Sequence, residues 1–173
     1  MASYYYLMSS LPLLKADGEM PLTYGEFLSL CRGNVSAQRY EMLSSLSVDS
    51  DRGPLVSDWA AFYGKLKAEL TYQRSVRLGR SVSAPTERDE MTTRIVTAAI
   101  NEKNPLTAEK LLLATEFEQL DSLVSLHYFD DAALIGYALK LKLLERKTAF
   151  HTQRGKSELD RIVDGIQQQI MNM

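Results

Sequence analysis

The chain has one cysteine, Cys31, in 173 residues. It can form no internal disulfide, and a reducing compartment is the expected setting. Histidine is almost as scarce. His127 and His151 are the only two, and neither has a Glu or His at metal-ligand spacing beside it. No apolar run approaches the ~20 residues needed to span a bilayer. The opening lacks a basic residue before its apolar stretch, and Pro12 interrupts that stretch early. A secretory signal is therefore not expected. The formal net charge of -2 provides no global field that would select nucleic acid or a membrane surface. Together these absences lead to the expectation of a soluble cytoplasmic protein that inserts into no membrane directly and reaches one at most through a protein complex.

Strand signals are missing too. No run alternates apolar and polar residues for long, and no tight-turn dipeptide joins two alternating runs. What is present is helical. "TYGE" at Thr23–Glu26 has capping-box spacing and opens a short helix through Phe27, Leu28 and Leu30, which Gly33 and Asn34 stop. A second short helix covers about Ala37–Leu46, with Tyr40 and Leu43 on one side. After the loop "SVDSDRGP", Ser57 caps a long helix in which Trp59, Phe62, Leu66 and Leu70 recur at three- and four-residue spacing. Running to about Leu78, before Gly79, it would be roughly 33 Å long. The radius of gyration of a compact chain of this size is about 16 Å.

"SVSAPTERD" reads as an internal linker. Thr86 with Asp89 resembles a cap for the next helix, whose face is Met91, Ile95, Ala98 and Ala99, and "NEKNP" ends it. Thr107 opens a helix carrying Leu112, Phe117, Leu120 and Val124. Asp130 caps "AALIGYALKLKLLERK", which is apolar on nearly every side and so belongs at the centre. A last helix from about Ser157 carries Leu159, Ile162, Val163, Ile166 and Ile170. The fold expected is all-α: an elongated bundle of about six to seven helices with an N-terminal arm. It forms a single helical domain over residues 1–173, subdivided near Pro85.

Chemistry-bearing motifs are few. "RGKS" at Arg154–Ser157 ends like a phosphate-binding loop, but the first glycine of that motif would stand where Phe150 is, and no strand leads in. A glycine break and a serine cap explain it. His127, Asp130 and Asp131 are conceivable metal ligands, but a helix cap accounts for them better. Cys31 lacks a nearby histidine and is expected as a buried thiol. Catalytic, cofactor and metal sites are expected to be absent, and an enzyme would need a pocket of convergent titratable groups that the sequence does not disclose.

Two basic clusters remain. Arg74, Arg77 and Arg80 follow i, i+3, i+6 spacing and share part of a helix face. Between Lys140 and Arg161, seven cations (Lys140, Lys142, Arg146, Lys147, Arg154, Lys156 and Arg161) face three acids (Glu145, Glu158 and Asp160), a local charge of +4. These clusters are either solvated helix surface or docking surfaces for an anionic protein, with Arg74, Arg77, Arg80, Lys140, Arg146 and Lys147 as the contact residues. Nucleic acid is not expected, since no aromatic interleaving or known motif accompanies the charge.

The stretches "MASYYYLMSSLPLLKADGEMPLTYGEFLSLC", "DWAAFYGKLKAEL" and "LTAEKLLLATEFEQLDSLVSLHYFD" resemble an uncharacterised bacterial family whose genes lie among those for V-type ATPase subunits. Some relatives in that family are longer than this chain. Tyr137, Lys140, Glu145, Arg146, Gly155 and Lys156 resemble the pattern of that ATPase's helical funnel, the part joining rotor shaft to membrane ring. The departure is at Lys147 and Thr148, where the funnel's pattern has an asparagine. The resemblance implies a non-catalytic component or assembly factor whose partners are other V-type ATPase subunits, and a funnel-like coupler between shaft and ring is its sharpest form. A helical protein–protein interaction module unrelated to the ATPase is the alternative. In either setting Tyr4, Tyr5, Tyr6 and Leu7 are expected to pack the arm onto the helices, with the hydroxyls at the surface.

Overall fold

A computed structural model describes residues 4–148, Ser157, 160–164 and Ile166. The fold is all-α, with no strand among the described residues. Seven helices follow in order: α1 (Tyr5–Ser10), α2 (Tyr24–Cys31), α3 (Ala37–Ser45), α4 (Val56–Arg77), α5 (Glu90–Asn101), α6 (Pro105–Leu123) and α7 (Asp131–Thr148). Ser157, 160–164 and Ile166 are helical as well, with Ile162, Val163 and Ile166 exposed. Arg154, Gly155, Lys156, Leu159 and Ile170, and with them the phosphate-loop reading, lie outside the described residues.

The starts and stops are mostly those the side chains dictate. Thr23 and Glu26 form the capping box, each bonding the other's backbone N–H. Asp130 caps α7 by accepting from the Ala133 amide at 3.1 Å. α4 ends in a Schellman turn. The Gly79 amide bonds the Val76 carbonyl and the Arg80 amide bonds the Ser75 carbonyl, with Gly79 at φ +70°. Three expected caps move. α4 starts at Val56, before Ser57, because Leu55 and Val56 are both buried and the Ser57 amide already bonds the Gly53 carbonyl. Asp89, not Thr86, caps α5. Asn104 caps α6 ahead of Thr107, leaving Pro105 in the first turn, where its missing N–H costs nothing.

α7 is buried along nearly its whole length, from Ala133 to Leu144. Around it the arm, α2, α3, the start of α4 and the end of α6 close one large apolar cluster. A second, small cluster holds Leu66 of α4, Val96 and Ala99 of α5, and Leu112 of α6. α4 and α6 pass through both clusters, so the linker around Pro85 does not separate them.

Polar pairs fix the directions. Lys65–Glu87, Glu69–Arg88, Gln73–Thr97 and Arg77–Ile100 succeed one another in the same order along both segments, so α5 runs parallel to α4. The linker returns along α4 to make that possible. Lys140–Asp121 and Arg146–Glu116 run in opposite order, so α7 is antiparallel to α6. The buried face of α5 is Thr92, Val96 and Ala99, with Ile95 packed beside it; of the expected face Ala99 and Ile95 turn inward, whereas Met91 and Ala98 are exposed, so the face is rotated slightly. Packing of Val96 and Ala99 on Leu66 and Leu112 accompanies that rotation, and on the exposed side Gln73 donates to Thr97 Oγ1 at 3.0 Å.

Buried aromatics keep their polar ends satisfied, as burial requires. Tyr24 Oη donates to the Leu43 carbonyl at 2.7 Å, Trp59 Nε1 to Val48 at 2.9 Å, and Tyr137 Oη to Pro12 at 3.0 Å. Cys31 is fully buried, and desolvation pushes its thiol up to about 11, so it is not poised as a nucleophile.

This packing makes glycine substitutions informative. At Gly136 of α7 an added Cβ would stand 2.5 Å from Val124 Cγ1, whereas nothing lies within 4 Å at Gly64 of α4. Helix propensity favours alanine at both by about 0.5–1 kcal/mol. Gly64→Ala should therefore raise the melting temperature, while overpacking makes Gly136→Ala lose roughly 1–3 kcal/mol. Thermal melts of the two variants decide it, and a stabilised Gly136→Ala would refute the close approach. Acid probes a different contact. Glu69 is buried, and bonds from Arg88 and Gln73 hold its carboxyl below the ordinary 4.5. A carboxyl lowered by folding contributes stability that is full above the unfolded value and lost as pH falls through the folded one. Denaturant titrations should show Glu69→Gln costing about 2 kcal/mol near neutral pH and losing less than wild type on acidification. A parallel decline in the two proteins would refute the assignment.

Candidate partner-binding surfaces

The six cations expected to dock a partner separate into two groups. Lys140 is mostly covered. Its Nζ pairs with Asp121 of α6 and lies 5.7 Å from the Phe117 ring centre. Lys147 Nζ donates to the carbonyls of Ala16 at 3.0 Å and Gly18 at 2.8 Å, pinning the loop after the arm. Arg146 grips Glu116 with both terminal nitrogens, at 3.0 and 2.6 Å, and also reaches Glu109 at 3.2 Å and the Tyr63 hydroxyl at 3.3 Å. Burial pushes the Glu116 carboxyl up, and Arg146 opposes that rise. The basic surface expected over Lys140, Arg146 and Lys147 is therefore not assembled. The central helix keeps only a partly exposed side for them, and each cation is drawn into a separate contact within the chain.

The other group stays outside. Arg74, Arg77 and Arg80 are all exposed at the end of α4. Arg77 donates to the Ile100 carbonyl at the end of α5, while Arg74 and Arg80 have no side-chain partner among the described residues. The helix stops at Arg77, so Arg80 belongs to the turn beyond it rather than to the helix face. The three still surround one helix end, where cations meet the negative pole of the dipole.

A second surface lies at the other end of α6, whose 19 residues span about 28 Å. Tyr4 and Leu7 are buried as expected, but Tyr5 is 55% and Tyr6 87% exposed. The reason is geometric: successive residues on α1 point about 100° apart, so one face of this helix cannot bury all three tyrosines. Tyr5 packs 4.7 Å from Phe129 and edge-on to Tyr6 at 5.6 Å, and Phe129 lies 6.5 Å from Tyr128. Four rings thus form a continuous exposed strip across α1 and the α6–α7 turn. Beside it is a groove of about 300 Å³ lined by Met8, Leu13, Val124 and Tyr128. The strip is held from beneath. The Tyr4 amide donates to the Phe129 carbonyl at 2.7 Å, its hydroxyl donates to Asp131 Oδ1 at 2.8 Å, and Arg39 pairs with the same carboxylate.

Neither surface carries convergent catalytic groups. Among the described residues no cluster of three His, Cys, Asp or Glu stands ready to hold a metal, and no helix is long and apolar enough to cross a membrane. His127 and Asp130 pair with each other, consistent with the cap.

Residues 89–170 match the model of a family described as Protein of unknown function (DUF2764). The match begins at the Asp89 cap and takes in α5, α6 and α7, hence Arg146, both its glutamates, Tyr128 and Phe129. It supports an uncharacterised family, and its description names no activity or partner. No curated protein and no solved structure matches the chain.

The two groups of cations should respond differently to mutation. Arg146→Ala strands the buried Glu116 and should cost about 3–5 kcal/mol. Arg74→Ala should stay within about 0.5 kcal/mol of wild type. Chemical denaturation measures both, and equal costs would contradict the sorting.

Proposed function

We propose that this protein is a non-catalytic helical component or assembly factor of a V-type ATPase, docked through the arginine end of α4. The ATPase assignment rests on the resemblance of the opening stretch, the Asp58–Leu70 stretch and the Leu106–Asp130 stretch. The docking surface rests on one observation: of the six expected contact cations, only Arg74 and Arg80 have side chains that make no hydrogen bond or ion pair among the described residues. Exposed cations with no internal partner are the ones available to an anionic surface.

The mechanical part of the proposal follows from packing. α4 and α6 thread both apolar clusters, so a load applied at the arginine end is borne by the α7-centred core rather than by a hinge. Such a body suits a coupler or a placeholder during assembly, and the helical funnel between shaft and ring is the analogue that the resemblance offers. A helical interaction module unrelated to the ATPase has no separate observation in its favour.

The test is purification of the intact ATPase from cells that carry this chain. The wild-type chain should co-purify at low salt and be lost as salt rises. Arg74→Glu/Arg80→Glu should remain folded and be recovered roughly tenfold less, because rim charges act mainly on association rate and salt dependence. Absence of the wild-type chain from both the intact complex and its partly assembled intermediates would reject the ATPase reading. Equal recovery of the folded variant would reject the arginine end as the docking surface.

A further inference from the structure

We infer that the four-ring strip of Tyr6, Tyr5, Phe129 and Tyr128 is a homodimer interface, and that its occupant is a second copy of this chain. Area supports this. Tyr5, Tyr6, Tyr128 and Phe129 are 55%, 87%, 70% and 39% exposed, together about two and a half whole aromatic side chains. At ~200 Å² each, that is roughly 500 Å² of ring surface per protomer. Doubled across a two-fold axis, complete burial of these rings would reach about 1,000 Å², the lower limit for a specific interface. Leu126 and Leu13, 86% and 79% exposed, extend the same end of the molecule. A row of rings is also self-complementary, because aromatic pairs favour edge-to-face and offset contacts with one another.

Charge points to the same occupant. Among the described residues the carboxylates bordering the strip are held within the chain: Asp131 is ion-paired with Arg39, Asp121 with Lys140, and Asp130 is hydrogen-bonded to His127. A rim whose carboxylates are engaged internally presents little like charge to its own image. It offers equally little to attract a strongly charged partner. A patch that is already ordered also meets its twin at a lower entropic cost. The bonds from Tyr4 to Phe129 and Asp131 supply that rigidity. This surface lies at the opposite end of α6 from the arginines, so the inference does not depend on the ATPase reading.

The experiment is sedimentation equilibrium on the purified full chain from about 1 to about 200 µM, at about 50 and about 500 mM salt. The expected result is a monomer–dimer equilibrium with micromolar affinity that changes less than about twofold between the two salts. Tyr6→Ser/Tyr128→Ser alters two exposed rings and leaves Tyr4 and Phe129 in place. It should weaken the dimer by at least roughly tenfold with an unchanged circular dichroism spectrum. A monomer at every concentration would overturn the proposal. So would a dimer that the variant retains, or one that dissolves in salt, since either places the contact elsewhere. Docking at the arginine end is expected to weaken with salt, so failure of one reading is separable from failure of the other.

Discussion

The guanidinium of Arg146 is the constraint around which the helices are arranged. It stands near the end of the central helix, directly after the buried Leu143 and Leu144, and a charge cannot be left bare in that setting. α6 answers with Glu109 and Glu116, two turns apart on one face, and α4 answers with the hydroxyl of Tyr63. Pairing its two terminal nitrogens therefore fixes the height of α7 against α6 and brings α4 to the same level, while Nε stays buried without a hydrogen-bond partner. Phe62 and Tyr63 of α4 pack against both apolar clusters, so this polar knot sits where the two clusters meet.

Much of the fold was legible in the sequence because its signals are local. The Thr23–Glu26 box, the Gly79 stop, the Asp130 cap and the all-round apolar character of Ala132–Leu144 each state their structure within a few residues. The failures share a cause. The start of α4 depends on Leu55 and Val56 entering a core built from distant segments, and the buried face of α5 on its packing against Leu66 and Leu112. Glu69 and Glu116 look like solvated helix residues until Arg88 and Arg146 are brought to them. The i, i+7 spacing of Glu109 and Glu116 beside an apolar stripe was the one available hint.

The interaction surfaces were legible only in part. A count of cations weights Arg74 and Arg146 alike, yet one stands in solvent and the other closes a buried pair. Reading Tyr4, Tyr5 and Tyr6 as a single anchor treats three consecutive residues as one face. A helix divides them, burying Tyr4 as the anchor and displaying Tyr6. The aromatic strip could not be read locally at all, because half of it comes from the α6–α7 turn, more than 120 residues later in the chain.

The parallel course of α4 and α5 bears on what can be inherited or expressed as a unit. Residues 89–170 carry the family likeness, yet the small cluster they help to form is closed by Leu66, and the strap before Asp89 is anchored on Glu69. Cut from α4, that stretch would expose Val96, Ala99 and Leu112 together and leave Arg146 without Tyr63. The boundary of sequence likeness thus falls inside the folding unit, and a protein carrying α5 through α7 needs some equivalent of α4 beside them.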